Sequence, residues 1–263
     1  MAQLISAFNG LWERVHGMLE VGRGAGRRRT GRGCVVKAMI LAAGRGKRMG
    51  ALTRRVPKPL LCLGRETLIE RHLRRLAAAG VRDVVVNLSY RGDAIRAKLG
   101  NGSRWGVAIH YSPEDEPPLE TGGGVIAALP WLGERPFLLV NADIVTDFDF
   151  GRLQGSADAG TLVLVANPPH HPRGDFGLAA SGRVTATPPQ LTFAGISVLS
   201  PTLFDGLAPG PRPLKPVLDA AIDAGRLQGV RHDGLWIDVG TPQRLRRARE
   251  WLATGGEPRP SDA

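Results

Sequence analysis

Between residues 37 and 252 the chain alternates two hydrophobic rhythms. "KAMILAA", from Lys37, is apolar nearly throughout, as a strand buried on both faces must be. Thr67 then opens a helix with Glu70 three residues on, a capping box. Ile69, His72, Leu73 and Leu76 fall on one face of that helix, and Gly80 closes it. "DVVVNL" (83–88) reads as the next strand, followed by a short helix around 92–99 and a strand at "VAIHYS" (107–112). "TGGG" (121–124) leads into a helix through Leu129, "PFLLVNAD" (136–143) is a strand ending in an acid, and "TLVLVAN" (161–167) is another. Strand and helix alternating at this spacing predict an α/β fold with a mainly parallel sheet and helices on both faces. In such sheets ligands bind beyond the carboxyl ends of the strands.

Beyond 170 the rhythm changes. "GDFGLAASGRV" and "LTFAGISVLS" predict shorter strands, "RPLKPVLDAAIDAG" a helix and "LWIDVG" a final strand. Thr241 as N-cap and Pro242 at the first helical position launch a closing helix through Leu252. No internal repeat is visible.

Charge narrows the partners. The 263 residues carry a formal net charge of +11, which points to an anionic partner: nucleotide, nucleic acid or membrane surface. Six arginines against two glutamates lie in residues 1–36, leaving an excess of seven positive charges for the rest. Residues 22–33, "GRGAGRRRTGRG", cannot bury apolar surface, so 1–36 is expected to be a disordered or non-native basic extension. The folded part then begins near Val36, a candidate for the true start if its codon is GTG. Two cysteines, Cys34 and Cys62, make neither a disulfide framework nor a zinc site. No apolar run approaches the roughly 18 residues of a membrane span, and no signal-peptide layout is present. The expectation is a cytoplasmic protein that engages no membrane.

Three features carry candidate chemistry. Gly44-Arg45-Gly46-Lys47-Arg48 follows a strand directly, where glycines let backbone N–H groups approach phosphate oxygens. The same residues also suit a plain tight turn. A dinucleotide is disfavoured, because "ALTRRVPKPLL" is loop-like and "VVVNL" lacks the acid that would bind a ribose. Lys58 stands between Pro57 and Pro59, which stiffen its backbone, and it is one of only five lysines against thirty arginines. A compact ammonium suits a phosphate whose geometry changes during reaction. Asp143 and Asp238 each end an apolar strand and could share one Mg²⁺, or serve as turn or capping acids. No Gly-x-x-x-x-Gly-Lys-Ser/Thr occurs, and the adjacent His170 and His171 offer no convincing partner for a serine nucleophile. Positioning and charge neutralisation are left as the means of catalysis.

"LAAGRGKRM", "PKPLL", "LVNAD" and "WIDVGTP", in that order, resemble the signature of the sugar-1-phosphate nucleotidyltransferases, from about Lys37 to Leu252. Within that family, "NGSRWGVAIHYSPE", "LETGGG", "HHPRGDFGL" and "LTFAGISVL" look most like the N-acetylmuramate 1-phosphate uridylyltransferases of bacterial peptidoglycan recycling. The resemblance implies a Rossmann-like three-layer fold with a mainly parallel central sheet and a smaller sugar-binding part. It sets a nucleotidyltransferase domain at 37–253 and a flexible tail at 254–263. It implies UTP and a sugar 1-phosphate as partners, Mg²⁺ as cofactor, no nucleic acid, and a monomer. Leu41, Ala42, Ala43, Gly44 and Gly46 would hold the triphosphate, with Arg48 on its β- and γ-phosphates and Lys58 on the α-phosphate. Gly122 and Gly123 would admit the base, and Glu114 or Glu120 would read its polar edge. Asn141, Asp175 and Gly195 would receive the sugar, and Asp143 and Asp238 the metal.

The chain departs from the family pattern in two places. Ala142 stands where a glycine usually precedes the first metal aspartate, and no Glu-Lys-Pro segment is present to grip the sugar phosphate. The latter favours the muramate-type subgroup and leaves Arg173 and Lys215 as candidates for that phosphate. The rival within the class is an enzyme for another hexose or heptose 1-phosphate with UTP, dTTP or GTP. A nucleic-acid binder acting through the arginine-rich extension is the rival outside it, disfavoured by an aromatic content of only 5%.

Overall fold

The computed structural model describes residues 37–115, 118–153 and 158–254. The expectations for 1–36 and for the tail beyond Thr254 lie outside the described residues. Strand β1 (Lys37–Leu41) is central, with β4 (Asp83–Leu88) and β6 (Phe137–Asn141) parallel on either side. Beyond β4 lies β5 (Ala108–Pro113), also parallel. Beyond β6 lies β11 (Gln190–Leu199), antiparallel to it, then β8 (Gly160–Val165) and β12 (Leu227–His232), which run parallel to each other. A short hairpin, β9 (Phe176–Leu178) with β10 (Val184–Thr185), extends from the start of β11 and completes nine strands.

The period of two along the strands sorts side chains into two buried layers. Ala38, Ile40, Val84 and Val86 face the helices α1 (Leu68–Ala78) and α2 (Gly92–Leu99), meeting Ile69, Leu73, Leu76 and Ile95. Met39 and Val85 face the other way, against Val125, Ala128 and Leu132 of α3 (Glu120–Leu132), in a cluster shared with α4 (Lys215–Asp223). The result is the expected mainly parallel α/β sheet between helical layers. The capping box is present: Glu70 N–H donates to the Thr67 hydroxyl, and the Glu70 carboxylate accepts from Thr67 N–H at 2.8 Å.

A smaller unit stands at the carboxyl end of the sheet. Strands β7 (Ile144–Thr146) and β13 (Trp236–Asp238) pair antiparallel, and β2 (Cys62–Leu63) pairs with β3 (Glu66–Thr67). Helix α5 (Pro242–Ala253), capped by the Thr241 hydroxyl, joins them through Leu245 and Ala248, which pack with Val145, Ile237 and Leu63.

Three sequence expectations are corrected. "LTFAGISVLS" belongs to a ten-residue strand inside the sheet, antiparallel to β6, β8 and β9, rather than a shorter one. Gly195, at φ 70°, breaks its alternation and hides its length, since the register with β8 shifts between Phe193 and Ser197. Helix α3 runs on past Leu129 to Leu132, with Pro130 inside it. The strands β7 and β12 went unread because one has three residues and the other is mostly half-exposed. No helix among the described residues is long and apolar enough to cross a membrane.

Candidate active site

The carboxyl ends of β1, β4, β5 and β6 open onto a cleft of about 260 Å³. Leu41, Ala42, Ala43, Gly44 and Arg45 reach it from β1 and the loop that follows. Lys58 and Pro59, Asn87, Glu114, Glu120 and Thr121, and Asn141 to Asp143 complete it with Pro118. One row of hydrogen bonds holds its members in place. Ala42 N–H donates to Asn87 Oδ1 at 2.7 Å, Asn87 Nδ2 to Glu114 Oε1 at 2.6 Å, and Leu119 N–H to Glu114 Oε2 at 3.1 Å. Asn87 is the acid-lacking end of "VVVNL", so the residue that sequence reasoning discounted is the keystone of this row. Gly124 makes room for it: a Cβ there would stand 2.6 Å from Glu114 Oε1. The two acids offered to the base therefore differ. Glu114 is buried with a bond on each oxygen, whereas Glu120 is exposed at the cleft. Glu120 also adopts φ 57°, a left-handed conformation that non-glycine residues rarely take.

Lys58 is buried, with its ammonium ion-paired to the Asp143 carboxylate. Pro57 is extended and Lys58 begins a single 3-10 turn, so the prolines do set its frame. Gly46, left-handed at φ 62°, lies against the lysine stem. A Cβ there would come within 3.1 Å of Lys58 Cβ, which fits support of Lys58 better than direct contact with phosphate.

Asp143 and Asp238 are brought together by the β7–β13 pair. Asp238 stands opposite Ile144, and Val239 N–H donates to Asp143 O at 2.7 Å. Both carboxylates line a second cavity of about 340 Å³, which shares Asn141 and Asp143 with the first cleft. Arg48, His170, His171, Thr192, Gly195 and Trp236 also line it. Burial pushes the Asp238 carboxyl above its ordinary range and Asp143 adds to this, opposed by Arg244, His170 and Lys58. Arg244 Nη1 lies 2.8 Å and His170 Nε2 3.2 Å from Asp238 Oδ1, yet that oxygen has no bond of hydrogen-bonding geometry. A buried carboxylate oxygen left in this condition, beside a second carboxylate, suits a divalent cation. No cluster of three or more His, Cys, Asp or Glu with metal-binding geometry occurs among the described residues. Substrate oxygens would have to complete a coordination shell, as is usual for Mg²⁺.

Helix α1 braces the strand that follows Asp143. Arg75 donates to Thr146 O and, at 2.7 Å, to Phe148 O, while Arg71 reaches Thr146 O at 3.4 Å. Between them His72 is fully buried. Desolvation, with Arg75 and Arg71 adding to it, lowers its pKa to about 3 against a weaker upward pull from Asp143 and the Ile144 backbone.

Several expected residues stand elsewhere. Gly122 and Gly123 lie against the 210–213 loop: Cβ atoms there would meet the carbonyls of Arg212, Pro213 and Gly210 at 2.9 Å or less. Gly195 lines the second cavity, but the space of its missing Cβ is taken by the Asn141 amide, 2.5 Å away. Arg48 lines that cavity too, while Arg45 lines the first cleft. Asp175 lines neither; it accepts from Phe193 N–H at 2.8 Å and contacts His171 Nε2 at 3.1 Å. Arg173 is exposed and Lys215 is paired with Asp219 at 2.7 Å, so neither of them reaches a cavity. The two histidines, set aside as adjacent, both line the second cavity, each against its own aspartate.

The family described as nucleotidyl transferase matches residues 37–190. An N-acetylmuramate alpha-1-phosphate uridylyltransferase of Neisseria meningitidis serogroup B is 46% identical over 227 residues, 81% of this chain and 97% of that protein. One from Caulobacter vibrioides is 34% identical, over 82% of this chain and 96% of its own. Among solved structures, HddC from Yersinia pseudotuberculosis superposes with a TM-score of 0.70 at 21% identity, covering 82% of this chain and 99% of that one.

Proposed function

Because this chain belongs to the nucleotidyl transferase family, we propose that it transfers uridylate from UTP to N-acetylmuramic acid 1-phosphate, releasing pyrophosphate. It is a sugar-1-phosphate nucleotidyltransferase, and residues 37–253 are its catalytic unit. The substrate pair rests on one observation, the 46% identity that extends over 97% of the Neisseria protein. The chemistry rests on Lys58, Asp143 and Asp238 meeting at the junction of the two cavities.

In this reading the first cleft takes the nucleotide and the second the sugar phosphate. Backbone groups of 42–44 face the triphosphate, and Arg45 and Arg48 supply cations on either side of the junction. Lys58, already seated at Asp143, stabilises the charge that builds on the α-phosphate. A phosphate oxygen of the sugar attacks the α-phosphorus, the bond to the β-phosphate oxygen breaks opposite it, and pyrophosphate leaves with no covalent enzyme intermediate. Asp143 and Asp238 would hold Mg²⁺, which supplies charge neutralisation for both sets of phosphate oxygens. A monomer acting in the cytoplasm, where UTP is available, completes this reading.

The test is pyrophosphate release with Mg²⁺ across UTP, dTTP and GTP against muramate, glucose and mannose 1-phosphates. Signal confined to UTP with the muramate substrate is expected. Another productive pair would overturn the substrate, and silence from folded protein would overturn the reaction.

A further inference from the structure

The second cavity holds a basic group that the reaction does not use. His170 lies directly against Asp238, on the side of the paired carboxylates. His171 does not. Its acid partner, Asp175, lies outside the lining, and its side chain is 41% exposed. The loop that carries it is fixed at several points. Asn167 Nδ2 donates to Pro172 O and Gln190 O at 3.0 Å, and Thr192 Oγ1 donates to Asn167 Oδ1 at 2.8 Å. His171 N–H donates to Pro168 O at 2.9 Å, and Asp175 N–H to Leu191 O at 2.8 Å. Asp175, tied to Phe193 N–H, then takes one ring nitrogen of His171, Nε2. The other, Nδ1, has no hydrogen-bond partner among the described residues. A cavity-lining histidine oriented through one nitrogen on a braced loop, with the other free of protein partners, can meet a ligand.

We propose that His171 recognises the carboxylate of the lactyl ether on the sugar ring, and so determines the choice of muramate over sugars without that group. The inference rests on the muramate reading above. The chemistry follows from the substrate's two anionic ends. Its phosphate belongs at Asp143, Asp238 and Lys58. A second anion would be repelled by those acids and needs a donor away from them. The imidazole, held through Nε2 by Asp175, donates from Nδ1 to the substrate carboxylate.

The experiment compares N-acetylmuramate 1-phosphate with N-acetylglucosamine 1-phosphate, which differ only by the lactyl ether, at saturating UTP. Each is measured by its KM or, if not turned over, as a competitive inhibitor. His171→Gln is expected to weaken the muramate substrate by about ten-fold, one charge-assisted hydrogen bond, and to leave the glucosamine compound within about two-fold. His171→Glu should weaken muramate further. Equal losses for both sugars would make His171 a structural support of Asp175, and an unchanged ratio would remove it from recognition; either overturns the inference alone. Wild-type protein that ignores the muramate compound altogether would overturn the proposed function itself.

Discussion

Under the proposed function the site has a nucleotide half and a sugar half, and they are built by different means. The nucleotide half is made from the ends of parallel neighbours β1, β4, β5 and β6, and a single hydrogen-bonded row from Ala42 through Asn87 and Glu114 to Leu119 spans it. The sugar half is assembled from the antiparallel strand β11, the braced 167–175 loop and the β7–β13 pair. The first half is the carboxyl end of the sheet with loops added, rigid because the sheet is rigid. The second depends on side chains holding loops, so single substitutions there should shift recognition more readily than stability. Lys58 and Asp143 sit where the halves meet and belong to both.

The contrast can be broken most severely at that junction. Lys58→Met removes the cation from the reacting phosphate and should lower kcat by roughly 10²-fold, the scale of one preorganised charged donor. Steady-state kinetics and a melting curve would show it, and an unchanged rate would demote Lys58 to a structural partner of Asp143. A smaller effect is expected within the nucleotide half. Asn87→Ala leaves Ala42 N–H and Glu114 Oε1 without their partner, and should destabilise the fold by about 1–3 kcal/mol. It should also raise KM for UTP while sparing KM for the sugar phosphate. A rise in the sugar KM alone would contradict the division into halves.

The smallest effect concerns the floor beneath Asp143. His72 has a pKa of about 3 in the folded protein against an ordinary 6.5. The unfolded chain therefore takes up a proton below pH 6.5 that the folded chain refuses. Stability from this residue is full above pH 6.5 and is lost as pH falls toward 3, by up to about 1.4 kcal/mol per pH unit. His72→Leu should flatten the fall in melting temperature between pH 7 and pH 5 relative to wild type. Parallel curves would mean that His72 takes up its proton without unfolding.

The same contrast explains what the sequence disclosed. In the nucleotide half the glycine loop and Asp143 each follow a strand directly and Lys58 is framed by its own prolines, so "KAMILAAGRG", "PKP" and "VNAD" can be read in place. The Thr67 capping box and the apolar face of α1 were equally local. The sugar half is long-range. Nothing near "HHPRGD" announces that Asn167, Thr192 and Phe193 will fix its loop, or that Asp175 will turn away from the cavity to hold His171. Glycines are hard to read for a related reason. The resemblance assigns Gly122 and Gly123 to the base, and only packing reveals that both also lie against another segment of the chain. Asn87 is not legible as a site residue, because an amide at a strand end reads only as a missing acid and its bonds to Ala42 and Glu114 are long-range.

The central claim is that Asp143 and Asp238, from distant parts of the chain, form one cation site between the two halves. The direct measurement is Mn²⁺ binding in the presence of UTP, followed by electron paramagnetic resonance, for wild type, Asp143→Ala and Asp238→Ala. Tight binding by wild type that is weakened at least about ten-fold in both variants is the result predicted for a shared site. Mn²⁺ held equally well by either variant would show that the two carboxylates do not act together.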